Sequence, residues 1–280
     1  MSPWIAGLVA LFVWWFSTGA ILMAVRWADK RGAAARLGLT VVTLPLFGTG
    51  IYGVLTSLDQ LNAGAAYHGF LAALALWAWI ELAFLTGAIT GPNTRALPEG
   101  VPEWERFIRA WGTVAYHEIL LTATLLTLVF VSFGAVNSIA LWTFSVLYFA
   151  RISAKLNLYL GVPKINVEFI PSALAHLQSH FRTAPLNWLF PFSITALTFA
   201  TACWVERLYS ASEVLSSGGV VGFALLTAIT ALATLEHWFM VLPLPDEKLW
   251  RWMLPDQPAS TAPAPKKTTR LIGSEDAHGL

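Results

Sequence analysis

SIALWTFSVLYFARISAKLNLYL, residues 138–160, is an apolar run long enough to cross a lipid bilayer. A transmembrane helix needs about 20 mainly apolar residues. Arg151 and Lys155 lie in this run four positions apart, and each would cost roughly 2.5–3.5 kcal/mol near the bilayer centre. The run therefore predicts a membrane-spanning helix whose two cations need partners on other helices.

The composition of the whole chain indicates a membrane protein. Of its 280 residues, 56% are hydrophobic and 12% are charged, whereas soluble domains carry about 25% charged residues. The mean hydropathy is +0.62. A formal net charge of +1 gives no reason to expect nucleic acid as a partner. Cys203 is the single cysteine, which excludes an internal disulfide.

Similar apolar runs recur along the chain. They lie near 4–25, 37–56, 68–90, 110–133, 138–160, 188–206 and 219–242. The sequence thus predicts an all-α, polytopic integral membrane helix bundle with about seven transmembrane helices. The second run is the weakest because Pro45 and four glycines interrupt it.

Basic residues alternate between the connections and so predict the orientation of the bundle. Counted from the N-terminal segment, through the six connections, to the C-terminal tail, the numbers of Lys and Arg are 0, 4, 0, 3, 0, 4, 1 and 5. Because cytoplasmic loops carry the excess of Lys and Arg, we expect a periplasmic N-terminus and a cytoplasmic C-terminus. Residues 1–254 would form the seven-span domain, with a short cytoplasmic helix near 171–181. Residues 255–280, rich in Pro, Ala, Ser and Thr, would form a disordered cytoplasmic tail.

Ionisable residues fall at similar depths on four predicted helices, in the cytoplasmic half of the membrane. Such groups inside a membrane commonly mark a functional site. The predicted polar layer consists of Glu81, His117, Glu118, Arg151, Lys155, Glu236 and His237.

Two interpretations of this layer stay open from the residues alone. In the first, the carboxylates neutralise the two cations and the layer is structural. In the second, the layer is a site that opens toward the cytoplasm and holds a tetrapyrrole, a quinone or a metal, or conducts protons. His176 and His180 could cap such a site from the adjacent loop. The polar layer lacks the Glu-x-x-His spacing of di-iron bundles, which disfavours the metal.

Four tryptophans could line a pigment groove, although packing or interface anchoring is the more common role for such residues. They are Trp14, Trp15, Trp77 and Trp79.

Long stretches of the chain resemble one family as whole strings. They include WAWIELAFLTGAITGPN, FARISAKLNLYLGVPKINVEF and LEHWFMVLPLPDEKLWRWML. Over about residues 2–254, the chain resembles the PuhE-type photosynthetic complex assembly proteins of purple phototrophic bacteria. The resemblance brings no catalytic motif with it.

This resemblance implies a multi-pass protein of the bacterial inner, intracytoplasmic photosynthetic membrane. It implies a non-enzymatic factor that helps to assemble the reaction centre and core antenna, or that modulates bacteriochlorophyll synthesis or supply. Its partners would be reaction-centre and light-harvesting polypeptides or pigment-synthesis enzymes, besides membrane lipid. The matching depths of the polar layer are compatible with bacteriochlorophyll or a precursor as a ligand, with His117 or His237 on its metal and Arg151 or Lys155 on a polar substituent.

Two functions of other classes also fit the residues. One is a membrane oxidoreductase with a metal or quinone at the Glu/His layer. The other is a proton-coupled carrier, although the chain lacks the repeated halves common in such carriers.

Overall fold

The computed structural model describes residues 2–168 and 170–242. The tail predicted to be disordered, 255–280, lies outside the described residues. The helices are α1 (Pro3–Asp29), α2 (Ala33–Val42), α3 (Leu44–Ser57), α4 (Ala63–Leu85), α5 (Glu103–Val131), α6 (Ile139–Leu160), α7 (Leu189–Glu213) and α8 (Ser217–Phe239). A 3₁₀ helix, Ser172–His180, lies between α6 and α7.

In the described part of the chain, seven helical segments are long and apolar enough to cross a membrane, which confirms the predicted fold class. The second of these spans, Ala33–Ser57, consists of α2 and α3 with a break at Thr43. Pro45 explains the break, because it has no N–H to donate to the carbonyl four residues earlier. The direction in which the bundle crosses the membrane stays a prediction.

The ends of α4 and α5 differ from those expected. α4 ends at Leu85 instead of near residue 90, and α5 begins at Glu103 instead of near 110. Glu105 forms an i,i+4 ion pair with Arg109 (2.6 Å), and acidic residues in a first turn favour a helix start. Residues 86–93 instead fold against α5, where the His117 amide donates to the Thr90 carbonyl (3.0 Å).

α4 is the central helix of the bundle. Most of its length is buried, and it contacts α1, α3, α5, α6 and α8. Close approach of α3 depends on two glycines: a Cβ at Gly50 or Gly53 would lie 2.8 Å from a side-chain atom of α4. Small residues permit this kind of close backbone approach between membrane helices. α4 thus brings Glu81 to the middle of the bundle.

The connections divide the bundle into two ends. We call the end that holds the α1–α2, α4–α5 and α6–α7 connections the basic end, and the other the opposite end. At the basic end, Asp29 pairs with Arg36 (2.8 Å) and accepts the amide of Ser172 (3.0 Å), which ties the 3₁₀ helix to α1. At the opposite end, the buried Asn137 donates to the carbonyls of Ser57 and Ala65 (2.9 and 3.0 Å).

Candidate functional site

A cavity of about 710 Å³ lies among α1, α4, α6 and α8. Leu174, Leu177 and Phe181, from the 3₁₀ helix and the residue after it, line it at the basic end. Most of its wall is apolar, and its polar side chains include Glu81 and Arg151. Ligand sites are typically concave and apolar, with a few placed polar groups, so this cavity is the candidate binding site.

Three of the four tryptophans singled out in the sequence line this cavity. They are Trp14 and Trp15 of α1 and Trp77 of α4. Trp79 is packed elsewhere: its Nε1 donates to the Thr40 carbonyl (3.1 Å), and its ring lies 5.0 Å from that of Phe47. The cavity wall therefore offers flat aromatic surface on two helices.

An ion pair forms one polar part of the cavity wall. Arg151 Nη2 of α6 donates to Glu81 Oε2 of α4 at 2.8 Å. Gly161 ends α6 with a φ of +123°, a conformation that side-chain-bearing residues rarely adopt, and Pro163 follows. α6 therefore stops soon after Arg151 and Lys155, which keeps both cations near the basic end.

A second ion pair lies next to the first but does not line the cavity. Lys155 of α6 pairs with Glu118 of α5. His117 is fully buried beside them, with its ring 4.4 Å from that of Phe84 and its Nε2 3.6 Å from Glu81 Oε1. Glu81 thus touches both parts of the polar layer. Both cations have a carboxylate partner, as the structural interpretation requires.

Several atoms of this charge cluster have no hydrogen-bond partner among the described residues. They are Glu81 Oε1, Glu118 Oε2, Arg151 Nε and both ring nitrogens of His117. Buried polar atoms normally bond to protein, ordered water or a ligand. Ordered water or a polar group of a bound molecule would satisfy these atoms.

Glu236 and His237, adjacent on α8, both line the cavity but have different partners. Glu236 Oε1 accepts a hydrogen bond from Trp14 Nε1 at 2.9 Å, so its partner is an indole of α1 and not one of the two cations. His237 Nδ1 lies 2.8 Å from the Ala233 carbonyl, and its Nε2 lies 2.9 Å from Ser153 Oγ. A carbonyl can only accept, so Nδ1 carries the proton and Nε2 of the neutral ring has the lone pair.

The two histidines of the 3₁₀ helix are not among the residues that line the cavity. His180 is buried, and its Nε2 contacts the Arg95 carbonyl (3.3 Å). Burial also lowers the pKa of His180, which favours the neutral ring. Within residues 2–168 and 170–242, no group of three or more His, Cys, Asp or Glu side chains could hold a metal ion.

Sequence reasoning missed the Trp14–Glu236 and Ser153–His237 contacts. Depth was inferred from the distance of each residue to the end of its helix, which assumes that the helix ends lie at one level. They do not: Trp14 and Glu236 are in contact, yet Trp14 lies 15 residues before the end of α1 and Glu236 lies three before the end of α8. A search for N–H and O–H donors, in addition to cations, would have included both partners.

Almost the whole chain matches a known protein family. A family model described as "Protein of unknown function (DUF3623)" matches residues 1–261. The chain belongs to this family. A relative from Rhodobacter capsulatus is 52% identical to this DUF3623 member over 267 residues, which cover 94% of this chain and 96% of the relative. It is described as an uncharacterized 30.4 kDa protein in the puhA 5′ region. No solved structure matches the chain.

Proposed function

We propose that this protein is an integral membrane assembly factor for the photosynthetic reaction centre and core antenna, and that it holds bacteriochlorophyll or a precursor in the cavity among α1, α4, α6 and α8. The cavity is the observation that carries the proposal. Its volume of about 710 Å³ falls within the roughly 300–1,000 Å³ of small-molecule sites. Its tryptophans provide flat aromatic surface for a planar macrocycle.

The photosynthetic setting is supported by the relative from Rhodobacter capsulatus. Its description refers to the puhA 5′ region, which belongs to a photosynthesis gene cluster. The two chains match over nearly their full lengths, so we expect them to share a role. The inner photosynthetic membrane is accordingly the proposed location, and reaction-centre and light-harvesting polypeptides or pigment-synthesis enzymes are the proposed partners.

His237 is the best-suited residue for the magnesium of such a pigment. Metal-binding histidines commonly donate their other ring N–H to a carbonyl or carboxylate, and His237 has this arrangement with Ala233. Its Nε2 would become available if the Ser153 hydroxyl turned to a carbonyl of its own helix, a bond that serines in membrane helices often form. His117 fits less well, because it does not line the cavity.

The Glu81–Arg151 pair suits the polar substituents of the same ligand. Both residues line the cavity, and Arg151 uses one of its five N–H donors on Glu81. The remaining donors of the guanidinium suit ring carbonyl and ester oxygens. The ion pair itself keeps the charge of the wall compensated, which a mostly apolar ligand requires.

The assembly role is tested in a phototrophic host that carries this gene at its own locus. His237→Ala removes the proposed metal ligand, and Ala150→Phe fills the cavity from α6. We expect both variants to accumulate less reaction centre and core antenna per cell, as measured by absorption of isolated membranes. His176→Ala is the matched control, because His176 is not part of the cavity lining.

The protein level of each variant is checked by immunoblot, so that a folding defect is not mistaken for a loss of function. Normal complex levels in cells that contain stable Ala150→Phe protein would contradict the proposal. Equal losses in all three variants would point to a structural effect instead of a cavity effect, and would also contradict it.

A further inference from the structure

A second cavity, of about 390 Å³, lies at the opposite end of the bundle, between α6, α7 and α8. Its apolar wall includes three aromatic residues: Trp204 of α7, Trp142 of α6 and Phe223 of α8. The Trp204 ring lies 5.5 Å from that of Trp142, at a steep angle, and is stacked on Phe223 at 6.2 Å. We call this cavity the aromatic groove.

The aromatic groove is lined by one cationic side chain, Arg207, and by one indole, Trp204, whose N–H makes no hydrogen bond among the described residues. Arg207 lines it and is the only Lys or Arg between residues 183 and 242. Its contact with Glu206 is long (3.9 Å) and exposed, so the ion pair is weak. Trp204 Nε1 is buried and has no hydrogen-bond partner among the described residues. An indole N–H can only donate, so an acceptor from ordered water or from a ligand would satisfy it.

The surroundings of these two donors favour a negative charge. Gly219, in the first turn of α8, also lines the groove, and the start of a helix carries a partial positive charge. Glu206, the weak partner of Arg207, also accepts a hydrogen bond from Ser210 on the same helix (2.9 Å). Arg207 is therefore available to a second anion.

The depth of the groove in the membrane identifies the class of that anion. α7 has 25 residues and is about 37 Å long at 1.5 Å per residue, which exceeds a hydrocarbon core of about 30 Å. Arg207 lies six residues before its end at Glu213, or about 9 Å along the helix axis, and its long side chain can extend from there toward the lipid phosphates.

We infer that the aromatic groove binds an anionic phospholipid. Its phosphate accepts from Arg207 and from Trp204 Nε1–H, and the first part of one acyl chain lies against Trp142 and Phe223. Phosphate contributes the acceptor oxygens that both donors need, and the aromatic wall gives the chain an apolar surface. This site is separate from the cavity of the proposed function, and neither depends on the other.

Cys203 makes the inference directly testable, because the chain's only cysteine lines the same groove. The full-length protein is purified in detergent, stripped of lipid, and alkylated with N-ethylmaleimide in the presence of increasing phosphatidylglycerol. We expect bound phosphatidylglycerol to slow alkylation of Cys203. Phosphatidylcholine at the same concentration should protect much less, and soluble glycerol phosphate should not protect.

Two substitutions separate the phosphate contacts from the apolar ones. Arg207→Gln and Trp204→Phe each remove donors, and we expect each to raise the half-protecting concentration of phosphatidylglycerol about tenfold, or about 1.4 kcal/mol. Arg31→Gln at the basic end is the control and should not change it. Circular dichroism and thermal unfolding confirm that each variant is folded.

Three results would overturn the inference. One is protection by phosphatidylcholine as strong as that by phosphatidylglycerol, which would indicate only an acyl-chain contact. Another is equal protection by glycerol phosphate, which would indicate a site for a soluble anion. The third is unchanged protection in folded Arg207→Gln and Trp204→Phe, which would mean that these residues do not hold the headgroup.

Discussion

Glu81 is the residue on which the polar interior of the bundle depends. It bonds Arg151 at the cavity wall and faces His117 on the side of the second ion pair. The sequence could predict that Arg151 and Lys155 need carboxylates, because the cost of a bare charge in a membrane is general. It could not predict which carboxylate pairs with which cation, because the pairing depends on the rotation of each helix about its own axis.

The Lys155–Glu118 pair should be costly to break from one side. Glu118 is 4% exposed and Lys155 is 21% exposed in their side chains, so Glu118→Gln leaves a largely buried cation without its charge partner. We expect the free energy of unfolding to fall by about 3 kcal/mol. Thermal unfolding of the purified protein in a mild detergent measures this as a lower Tm.

The double variant Glu118→Gln/Lys155→Met tests whether the loss comes from the unpaired charge. It should recover most of the lost stability, because both charges are then removed together. Glu105→Gln on the same helix is the matched control: it breaks the more exposed Glu105–Arg109 pair and should cost less than about 1 kcal/mol. A Glu118→Gln variant as stable as that control would show that the buried pair is not formed.

At the scale of elements, the contact between α3 and α4 depends on the absence of side chains at two positions. A Cβ at Gly53 would lie 2.8 Å from the Cβ of Ala72, whereas a Cβ at Gly48 would meet no atom within 4 Å. The hydropathy of the sequence predicts both helices but not this contact, because hydropathy contains no information on the distance between two helix backbones.

Gly53→Ala and Gly48→Ala should therefore change stability in opposite directions. Gly53→Ala forces α3 away from α4 and should cost about 1–3 kcal/mol. Gly48→Ala meets open space and should be neutral or stabilising by up to about 1 kcal/mol, because alanine favours the helix. Thermal unfolding of both variants measures the difference. A Tm for Gly53→Ala at or above that of Gly48→Ala would contradict the packing described.

The 3₁₀ helix should make the basic end sensitive to acid through His180. Burial lowers the pKa of this ring, the Arg95 carbonyl opposes that effect in part, and Arg106 and Arg109 lower the pKa further. An unfolded histidine titrates near pH 6.5. Above that pH both states are neutral, and below it the unfolded chain takes up the proton first, so stability falls as the pH decreases toward the lowered folded pKa.

We therefore expect His180→Gln to lose less stability than the unmodified protein between about pH 7 and pH 5. Tm measured against pH gives the comparison, and the exposed His68, replaced by Gln, is the control. If the pH dependence of His180→Gln equals that of the unmodified protein, His180 does not sense acid in the folded state.

At the scale of the whole molecule, the number of spans could be predicted because each span is a continuous apolar run. The helix ends could not, because α5 extends beyond its apolar run and residues 86–93 fold against it. The main cavity also could not be predicted. Its walls come from helices that are distant in the chain, and its polar groups lie at different distances from the ends of those helices.

The orientation of the bundle is a prediction of the charge pattern and can be tested with single cysteines. In a Cys203→Ser background, Leu215→Cys lies at the opposite end and Glu99→Cys at the basic end. A membrane-impermeant maleimide should label Leu215→Cys in spheroplasts and label Glu99→Cys only after the membrane is opened. The reverse labelling pattern would show that the basic end faces the periplasm, against the rule for cytoplasmic loops.

The most direct test of the proposed function is the absorption spectrum of the protein purified in mild detergent from phototrophically grown cells. The account predicts the spectrum of bacteriochlorophyll or of a magnesium-containing precursor, with the pigment in stoichiometric amount, largely lost in Ala150→Phe and His237→Ala and retained in His176→Ala. A folded protein that carries no pigment, and that takes up none when bacteriochlorophyll or its magnesium-containing precursors are added, would contradict the account.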